Sequence, residues 1–189
     1  MENQPMKMIG TVWFALLLLA PVFSGCANLH KAAGRGDLAE AERFLQKGAD
    51  VNAKDAYGRT PLMWGLDNPE AVRFLVENGA DVNARDVNGE TALMKAAFLC
   101  RLDVVKYLVE KGADVNARSE RGETPLMWAV SDLKVVKFLA EKGADINAWD
   151  VEGETLLLKA AVSGKLRVVR YLMDRGANVD AGAERRKTP

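Results

Sequence analysis

Histidine and cysteine are scarce in this chain, which has one histidine and two cysteines among 189 residues. The single histidine, His30, argues against a histidine-rich metal site and against a catalytic relay with a distant serine. Cys26 and Cys100 are too few for a disulfide framework and lack the paired spacing of a zinc site. The sequence therefore predicts a fold held by packing, with no metal and no cofactor.

An excess of charge of one sign is also missing, since Lys plus Arg and Asp plus Glu each total 26. This balance argues against nucleic acid as a partner and against a ligand chosen by overall charge. No glycine-rich run ends in Lys followed by Ser or Thr, so a phosphate-binding loop is absent from the sequence. With no convergent catalytic set either, we predict a protein that is not an enzyme and that recognises its partner locally.

Long apolar runs are limited to one, residues 8–23, which Gly10, Thr11 and Pro21 interrupt. A bilayer-spanning helix needs about 20 apolar residues, so this run is short for one. It fits the apolar region of a secretory signal, which runs about 7 to 15 residues and ends in small residues. We predict that residues 1–25 are an export signal, and an uncleaved apolar anchor is the alternative.

Ser24 and Gly25, directly before Cys26, resemble the lipobox of bacterial lipoproteins. The resemblance implies cleavage before Cys26, a lipid on its thiol, and residues 26–28 as the anchor. Phe23 departs from the usual Leu of that box. Ala27, where inner-membrane retention favours Asp, points to the outer membrane if the resemblance holds. Met6 is an alternative start that gives a cleaner signal, "MKMIG".

Internal repetition dominates the rest of the chain. The phrase "GADVNA" recurs with small changes, beginning at Gly48, Gly79, Gly112, Gly143 and Gly176. The repeats divide the chain into units 29–54, 55–85, 86–118, 119–149 and 150–181, and a pair of units recurs after 64 residues. Residues 182–189 are either the start of a further incomplete repeat or a tail.

Each unit is predicted to contain two short helices and a loop. Thr60 and Thr124 are suited to cap the first helix, and a proline follows each at the first helical position. The second helix shows apolar residues at helical spacing, as at Val104, Val105, Leu108 and Val109. A glycine such as Gly112 then ends it in a left-handed conformation.

The pattern "TPLM.A" followed by "VV.(Y/F)L...GADVNA" resembles the ankyrin-repeat family over about residues 29–181. The resemblance implies an all-α repeat solenoid: about five repeats of helix–turn–helix plus β-hairpin or loop fingers, stacked in a curved array that binds proteins. Units of 31 residues lack two residues between their helices, which predicts a shortened first helix. Cys100 replaces the glycine of matching turns, which argues against a left-handed cap there. The family's usual histidine is kept only at His30, which we interpret as structural.

One column of the aligned repeats alternates lysine with tryptophan: Lys31, Trp64, Lys95, Trp128 and Lys159. Lysine is almost never fully buried, which predicts that this column reaches solvent. Trp and Arg dominate binding hot spots. The residues predicted to bind a partner are Trp64, Lys95, Trp128, Lys159, Tyr57, Arg59, Arg85, Arg121 and Trp149. The alternative is that the tryptophans fill space in the shortened units.

The repeated acids and amides of the "GADVNA" phrase are interpreted as turn residues rather than cation ligands. Cys100 is interpreted as filler or an exposed thiol. The last unit keeps an internal apolar pattern, at Leu157, Ala160, Val168, Val169 and Leu172. This pattern predicts an open flank, explained either by a truncated chain or by contact with another chain.

The combined hypothesis is a protein–protein interaction scaffold, lipid-anchored in the bacterial cell envelope and facing the periplasm, with its fingers and first helices on a protein partner. The alternative is a soluble or translocated ankyrin effector, or a toxin-neutralising binding protein. An enzyme, or a regulatory subunit of one, ranks far behind.

Overall fold

The computed structural model describes residues 29–180, which form a stack of helix pairs. Helix α1 is seen over 29–35. The others are α2 Leu38–Gln46, α3 Pro61–Trp64, α4 Pro69–Glu77, α5 Ala92–Phe98, α6 Leu102–Glu110, α7 Pro125–Trp128, α8 Leu133–Glu141, α9 Leu156–Val162 and α10 Leu166–Asp174. The predicted helical repeat solenoid is confirmed. The predicted signal, the anchor at 26–28 and the tail at 182–189 lie outside the described residues.

The fingers are loops between one pair and the next. Within 29–180, bridges between extended residues are limited to Arg85 with Thr91 and Trp149 with Thr155. None of the helices in this range is both long enough and apolar enough to cross a membrane.

Threonine caps start most of the first helices. The Thr124 hydroxyl accepts from the Met127 amide at 3.4 Å, and Pro125 occupies the first turn, as predicted. Thr60 holds the same backbone position before Pro61, but its hydroxyl makes no capping bond and is buried without a partner among residues 29–180. The predicted cap at Thr60 is therefore correct in position and wrong in its hydrogen bond.

The first helix is short in the 31-residue units, as predicted. Helices α3 and α7 have 4 residues each, while α5 and α9 have 7. In the short units the chain turns at once into the second helix, which Asn68 or Asp132 caps with its side chain. Each cap accepts from free amides in the first turn of the second helix, which have no partner within that helix.

The second helices bury one face between neighbouring pairs. Val104, Val105 and Leu108 in α6 are buried, as the spacing predicts, whereas Val109 is only half-buried. Full burial of such a side chain contributes about 1.5–3 kcal/mol, so the repeated stripe supplies most of the stability of the stack.

Asparagines of the repeated phrase join one repeat to the next. The Asn52 side chain donates to the Gly79 carbonyl at 3.1 Å and accepts from the Asp81 amide at 2.7 Å. Asp50 accepts from the Asn52 amide, which confirms its prediction as a turn residue. The turn interpretation was incomplete for the asparagines, because their side chains bond the following repeat. Asn83 and Asn116 repeat the arrangement.

Cys100 adopts the left-handed conformation that its identity argued against. Its φ is +57°, beside +69° and +65° at the matching Gly36 and Gly164. The prediction was wrong because the turn keeps the closing hydrogen bonds of the Gly36 turn. The Cys100 amide donates to the Ala97 carbonyl at 3.1 Å and the Arg101 amide to the Ala96 carbonyl at 3.0 Å.

The last helix pair leaves apolar side chains exposed on its outer flank. Leu158 is 38% exposed, whereas Met94 at the matching position is fully buried. The open positions differ from those predicted, since Leu157 and Val168 are buried against the preceding pair. The exposed set on this flank is Leu158, Leu166 and Met173. Val162 is also exposed, as is the matching Phe98 inside the stack.

Candidate functional site

The fingers and first helices form one continuous surface, which we call the inner surface. It comprises fingers 55–59, 86–90, 119–123 and 150–154 with α3, α5, α7 and α9. Backbone bonds join successive fingers: Val87 donates to the Tyr57 carbonyl at 3.0 Å, and Val151 to the Arg121 carbonyl at 2.8 Å. Four more residues predicted to bind a partner lie on the helices beside them: Trp64, Lys95, Trp128 and Lys159.

The first described finger carries an aromatic and cationic cluster. The Arg59 guanidinium lies 4.7 Å from the Trp64 ring and 5.0 Å from the Tyr57 ring. Asp55 accepts from Trp64 Nε1 at 3.0 Å and from Arg59 Nε at 2.8 Å. The structure thus brings together three residues that were predicted separately.

Hydrogen bonds keep the Asp55 carboxylate ionised. Burial raises its pKa, but the Arg59 amide, the Trp64 indole and the Tyr57 amide together lower it to about 2. The negative charge in turn holds Arg59 over the two rings.

Lysines of the same column are anchored by acids of their own finger. Lys95 Nζ lies 2.9 Å from Asp86, and Lys159 Nζ lies 2.9 Å from Asp150. Burial lowers the pKa of each lysine, but hydrogen bonds and the charges of these acids raise it overall. The two side chains are 20% and 23% exposed. The column therefore reaches solvent at these lysines only in part, and their ammonium groups are occupied by ion pairs.

Trp128 lacks the acid that its counterparts have. Ser119 stands where the other fingers have Asp55, Asp86 and Asp150, and its hydroxyl accepts only the Glu123 amide at 3.2 Å. Trp128 Nε1 is consequently buried without an acceptor among the described residues. Its ring meets Phe98 edge-on at 5.8 Å. Sequence reasoning missed this difference, although the serine was visible in the aligned repeats.

A hollow of about 440 Å³ opens beside Trp128, between two fingers. A smaller one of about 130 Å³ lies between the next two fingers. The first is lined by Asn88, Glu90, Ser119, Glu120, Arg121, Glu123 and Trp128, and the second by Arg121, Glu123, Asp150, Val151, Glu152 and Lys159. Arg121 borders both hollows, which makes it a central residue of the inner surface.

Bases at the finger roots bond the backbone of the next repeat. Lys54 Nζ donates to the Arg85 carbonyl at 2.9 Å, Arg85 to the Arg118 carbonyl, and Arg118 to the Trp149 carbonyl. The Arg85 guanidinium therefore has a structural contact in addition to its predicted binding role. Trp149 ends this row and is 38% exposed.

Groups with catalytic potential are dispersed. His30 is buried, with Nε2 2.9 Å from the Arg59 carbonyl and its ring edge-on to Trp64 at 5.9 Å. Burial and the charge of Asp132 raise the pKa of the Cys100 thiol, although Lys165 lowers it. Within 29–180 no three His, Cys, Asp or Glu side chains are grouped to hold a metal. These contacts suit packing, which is the role assigned to His30 from the sequence.

Residues 29–119 and 116–183 match the family model described as ankyrin repeats (3 copies). No curated protein matches the chain.

Proposed function

The chain belongs to the ankyrin-repeat family, whose repeats indicate a protein–protein interaction module, and we propose that it binds a protein of the bacterial cell envelope through its inner surface. Ankyrin repeats are typically binding scaffolds rather than enzymes, in keeping with the dispersed titratable groups described above.

The observation that carries the proposal is the pair of hollows that share Arg121. Each is bounded by finger backbone on one side and a first helix on the other, and Trp128 contributes an aromatic wall to the larger one. An arginine and a tryptophan beside concave, partly polar surface form the combination that dominates binding hot spots. A partner side chain entering the larger hollow would meet Trp128 and Glu120 together.

The remaining predicted contacts extend this surface in both directions. Tyr57 is 64% exposed and, with Arg59 over its ring, offers a second aromatic contact at one end of the surface. Trp149 offers a third. Lys95 and Lys159 act on the partner indirectly, because their ion pairs fix the orientation of Glu90 and Glu154. Arg85 positions the fingers by its backbone contact.

Crosslinked affinity capture from envelope membranes tests the binding role. Trp128→Ala and Arg121→Ala should lose a captured protein that wild type and Glu110→Ala retain, since Glu110 is exposed on α6 away from the inner surface. Retention by all four forms would refute binding at this surface.

Anchoring is a separate part of the proposal, and it rests on Ser24, Gly25 and Cys26 in the sequence. Cleavage before Cys26 and acylation of its thiol would hold the repeats at the periplasmic side of a membrane, with Ala27 favouring the outer one. Labelled palmitate should enter wild type but not Cys26→Ala. Equal labelling of both forms, or none in wild type, would reject the anchor and favour a soluble or translocated binding protein.

A further inference from the structure

A basic groove lies at the edge of the stack opposite the fingers, where the turns between the two helices of each pair are located. It has a volume of about 560 Å³ and lies between the starts of α8 and α10. The bases on its walls are Lys134, Lys137, Lys165 and Arg167, and the acid is Asp132. All four bases are exposed, and none makes an ion pair within the described part of the chain.

The acid in the groove is already engaged by the fold. Asp132 accepts from the Lys134 amide at 2.7 Å as the cap of α8. One base is partly engaged, because Lys137 Nζ lies 5.5 Å from the centre of the Tyr171 ring. The other bases have no such partner among the described residues, so the groove presents net positive charge to solvent.

The 64-residue duplication supplies an internal comparison for this groove. The equivalent location between α4 and α6 carries Asp67, Glu70, Arg101 and Asp103, and Arg101 bonds Asp67 across the repeats at 2.6 Å. Ser131, Lys134, Lys165 and Arg167 occupy the matching positions in the second copy. The same backbone therefore carries net negative charge in one copy and net positive charge in the other, and the second copy has lost its cross-repeat ion pair.

One exposed apolar side chain lies on the wall of the basic groove, and another lies at the end of the preceding helix. Leu166, on its wall, is 74% exposed, and Val162 in the preceding helix is 81% exposed. In the first copy the residue that matches Leu166 is Leu102, which is half-buried against the core, whereas Phe98, which matches Val162, is 65% exposed. The two copies therefore differ in charge and at position 166, and both expose an apolar side chain at the end of the first helix. The second copy thus combines unpaired bases with protruding apolar side chains.

We propose that this basic edge binds the phosphate headgroups of an anionic lipid surface. Charge complementarity selects an anionic ligand, and the protruding Val162 and Leu166 suit the boundary between headgroups and acyl chains, where basic and apolar side chains bind together. A free phosphate or an acidic polypeptide would use the bases but would leave these two side chains in water. The site is separate from the inner surface and from Cys26, so its test does not depend on the proposed function.

Vesicle binding by the full chain tests the proposal. Cys26→Ala removes acylation from every sample, and the apolar segment 8–23 contributes equally to all variants. The fraction of protein bound is compared between phosphatidylcholine vesicles and vesicles that also contain phosphatidylglycerol, at low and high salt. The phosphatidylglycerol-dependent part of binding should fall with salt, because screening weakens attraction between exposed charges.

The main test variant, called the decisive variant, carries residues of the first copy at the matching positions of the second copy. Ser131→Asp, Lys134→Glu and Arg167→Asp install the residues that the same fold accommodates at the matching positions. This variant should lose about tenfold or more of the phosphatidylglycerol-dependent partition. The control Arg43→Glu with Gln46→Glu and Lys47→Asp, on the first repeat, changes the net charge by the same amount and should leave this partition unchanged. The reverse exchange, Asp67→Ser, Glu70→Lys and Asp103→Arg, should increase it.

A local probe identifies which edge meets the bilayer. An environment-sensitive fluorophore at Ser163→Cys, with both natural cysteines replaced, should shift to the blue on phosphatidylglycerol vesicles, whereas one at Asn78→Cys should not. Equal vesicle binding by the decisive variant, or an unshifted probe at position 163, overturns the proposal. It is also overturned if inorganic phosphate or polyglutamate binds at this groove while the vesicles do not.

Discussion

Substituting Ser119 with aspartate should stabilise the fold, because it would restore the acceptor that Trp128 lacks. Asp55 provides the template, accepting from Trp64 Nε1 at 3.0 Å and from its own finger amides at 2.8 and 2.9 Å. At position 119 the serine hydroxyl accepts one amide, and the indole N–H remains buried and unpaired.

The magnitude follows from two opposed effects. The favourable effect is the pairing of the indole N–H: an unpaired buried donor costs about 1–3 kcal/mol, and a hydrogen bond to a charged acceptor contributes about 1.5–3 kcal/mol. Repulsion from Glu120 and Glu123 subtracts from this gain, by up to about 1 kcal/mol for each exposed pair. We expect a net increase of about 1 kcal/mol in the free energy of unfolding, which corresponds to about 2–4 °C in Tm for a chain of this size.

Urea unfolding followed by circular dichroism measures the change, since tryptophan fluorescence would itself respond to the substitution. Ser119→Asn separates the hydrogen bond from the charge, because its side-chain carbonyl can accept from the indole without repelling the glutamates. Ala56→Glu, an exposed finger position that matches Glu120, is a control for adding an acid elsewhere. If both Ser119→Asp and Ser119→Asn leave stability unchanged or lower it, the unpaired indole is not the cause of a deficit.

Three further outcomes follow from the same contacts. Cys100→Gly should raise the free energy of unfolding by about 0.5–1 kcal/mol, because a side chain in the left-handed region costs about 1–2 kcal/mol and the flexibility of glycine in the unfolded chain offsets part of that gain. Gly164→Ala should lower the free energy of unfolding, and urea unfolding curves of both variants that coincide with that of wild type would contradict this reasoning. Since the pKa of Asp55 falls from 3.8 unfolded to about 2 folded, its contribution is complete above about pH 4 and disappears as the pH falls to 2; acid titration of Asp55→Ser should therefore show a weaker pH dependence in that window than wild type. Trp64→Phe should lose about 1 kcal/mol with its bond to Asp55, while Trp128→Phe should be nearly neutral; equal losses in urea unfolding would show that the two indoles are equivalent.

The two tryptophans also show how binding and packing coexist on one surface. Trp64 is 36% exposed and Trp128 is half-buried, so each contributes an edge to the inner surface while its remaining area packs. The sequence offered binding and gap filling as alternatives. The observed contacts place both tryptophans at the boundary between core and surface, where the same ring can serve both roles.

The sequence by itself determined the repeat architecture, the order of helices and the shortening of α3 and α7. These features depend on local signals: apolar spacing, a proline at the first helical position, and glycines at the helix ends. Such signals act within a few residues and are therefore readable along the chain. Their repetition in phase then predicts the stack, because a single unit cannot bury its apolar face alone.

Only the tertiary structure decided which polar groups meet. The bond between Asn52 and Gly79 and the ion pair between Asp67 and Arg101 each join residues about thirty apart in the chain, and they depend on side-chain directions that spacing does not specify. Lys159 of the alternating column is a similar case, because it also lies 3.5 Å from Glu123 of the preceding finger, a contact that the column pattern did not predict. Stacking two repeats brings such groups within about 3 Å, where hydrogen-bond geometry selects the pairs. The serine at position 119 is visible in the aligned repeats, but the buried Trp128 indole that lacks an acceptor within 29–180 and the unpaired bases beside α10 are visible only in the structure, because pairing depends on contacts between elements.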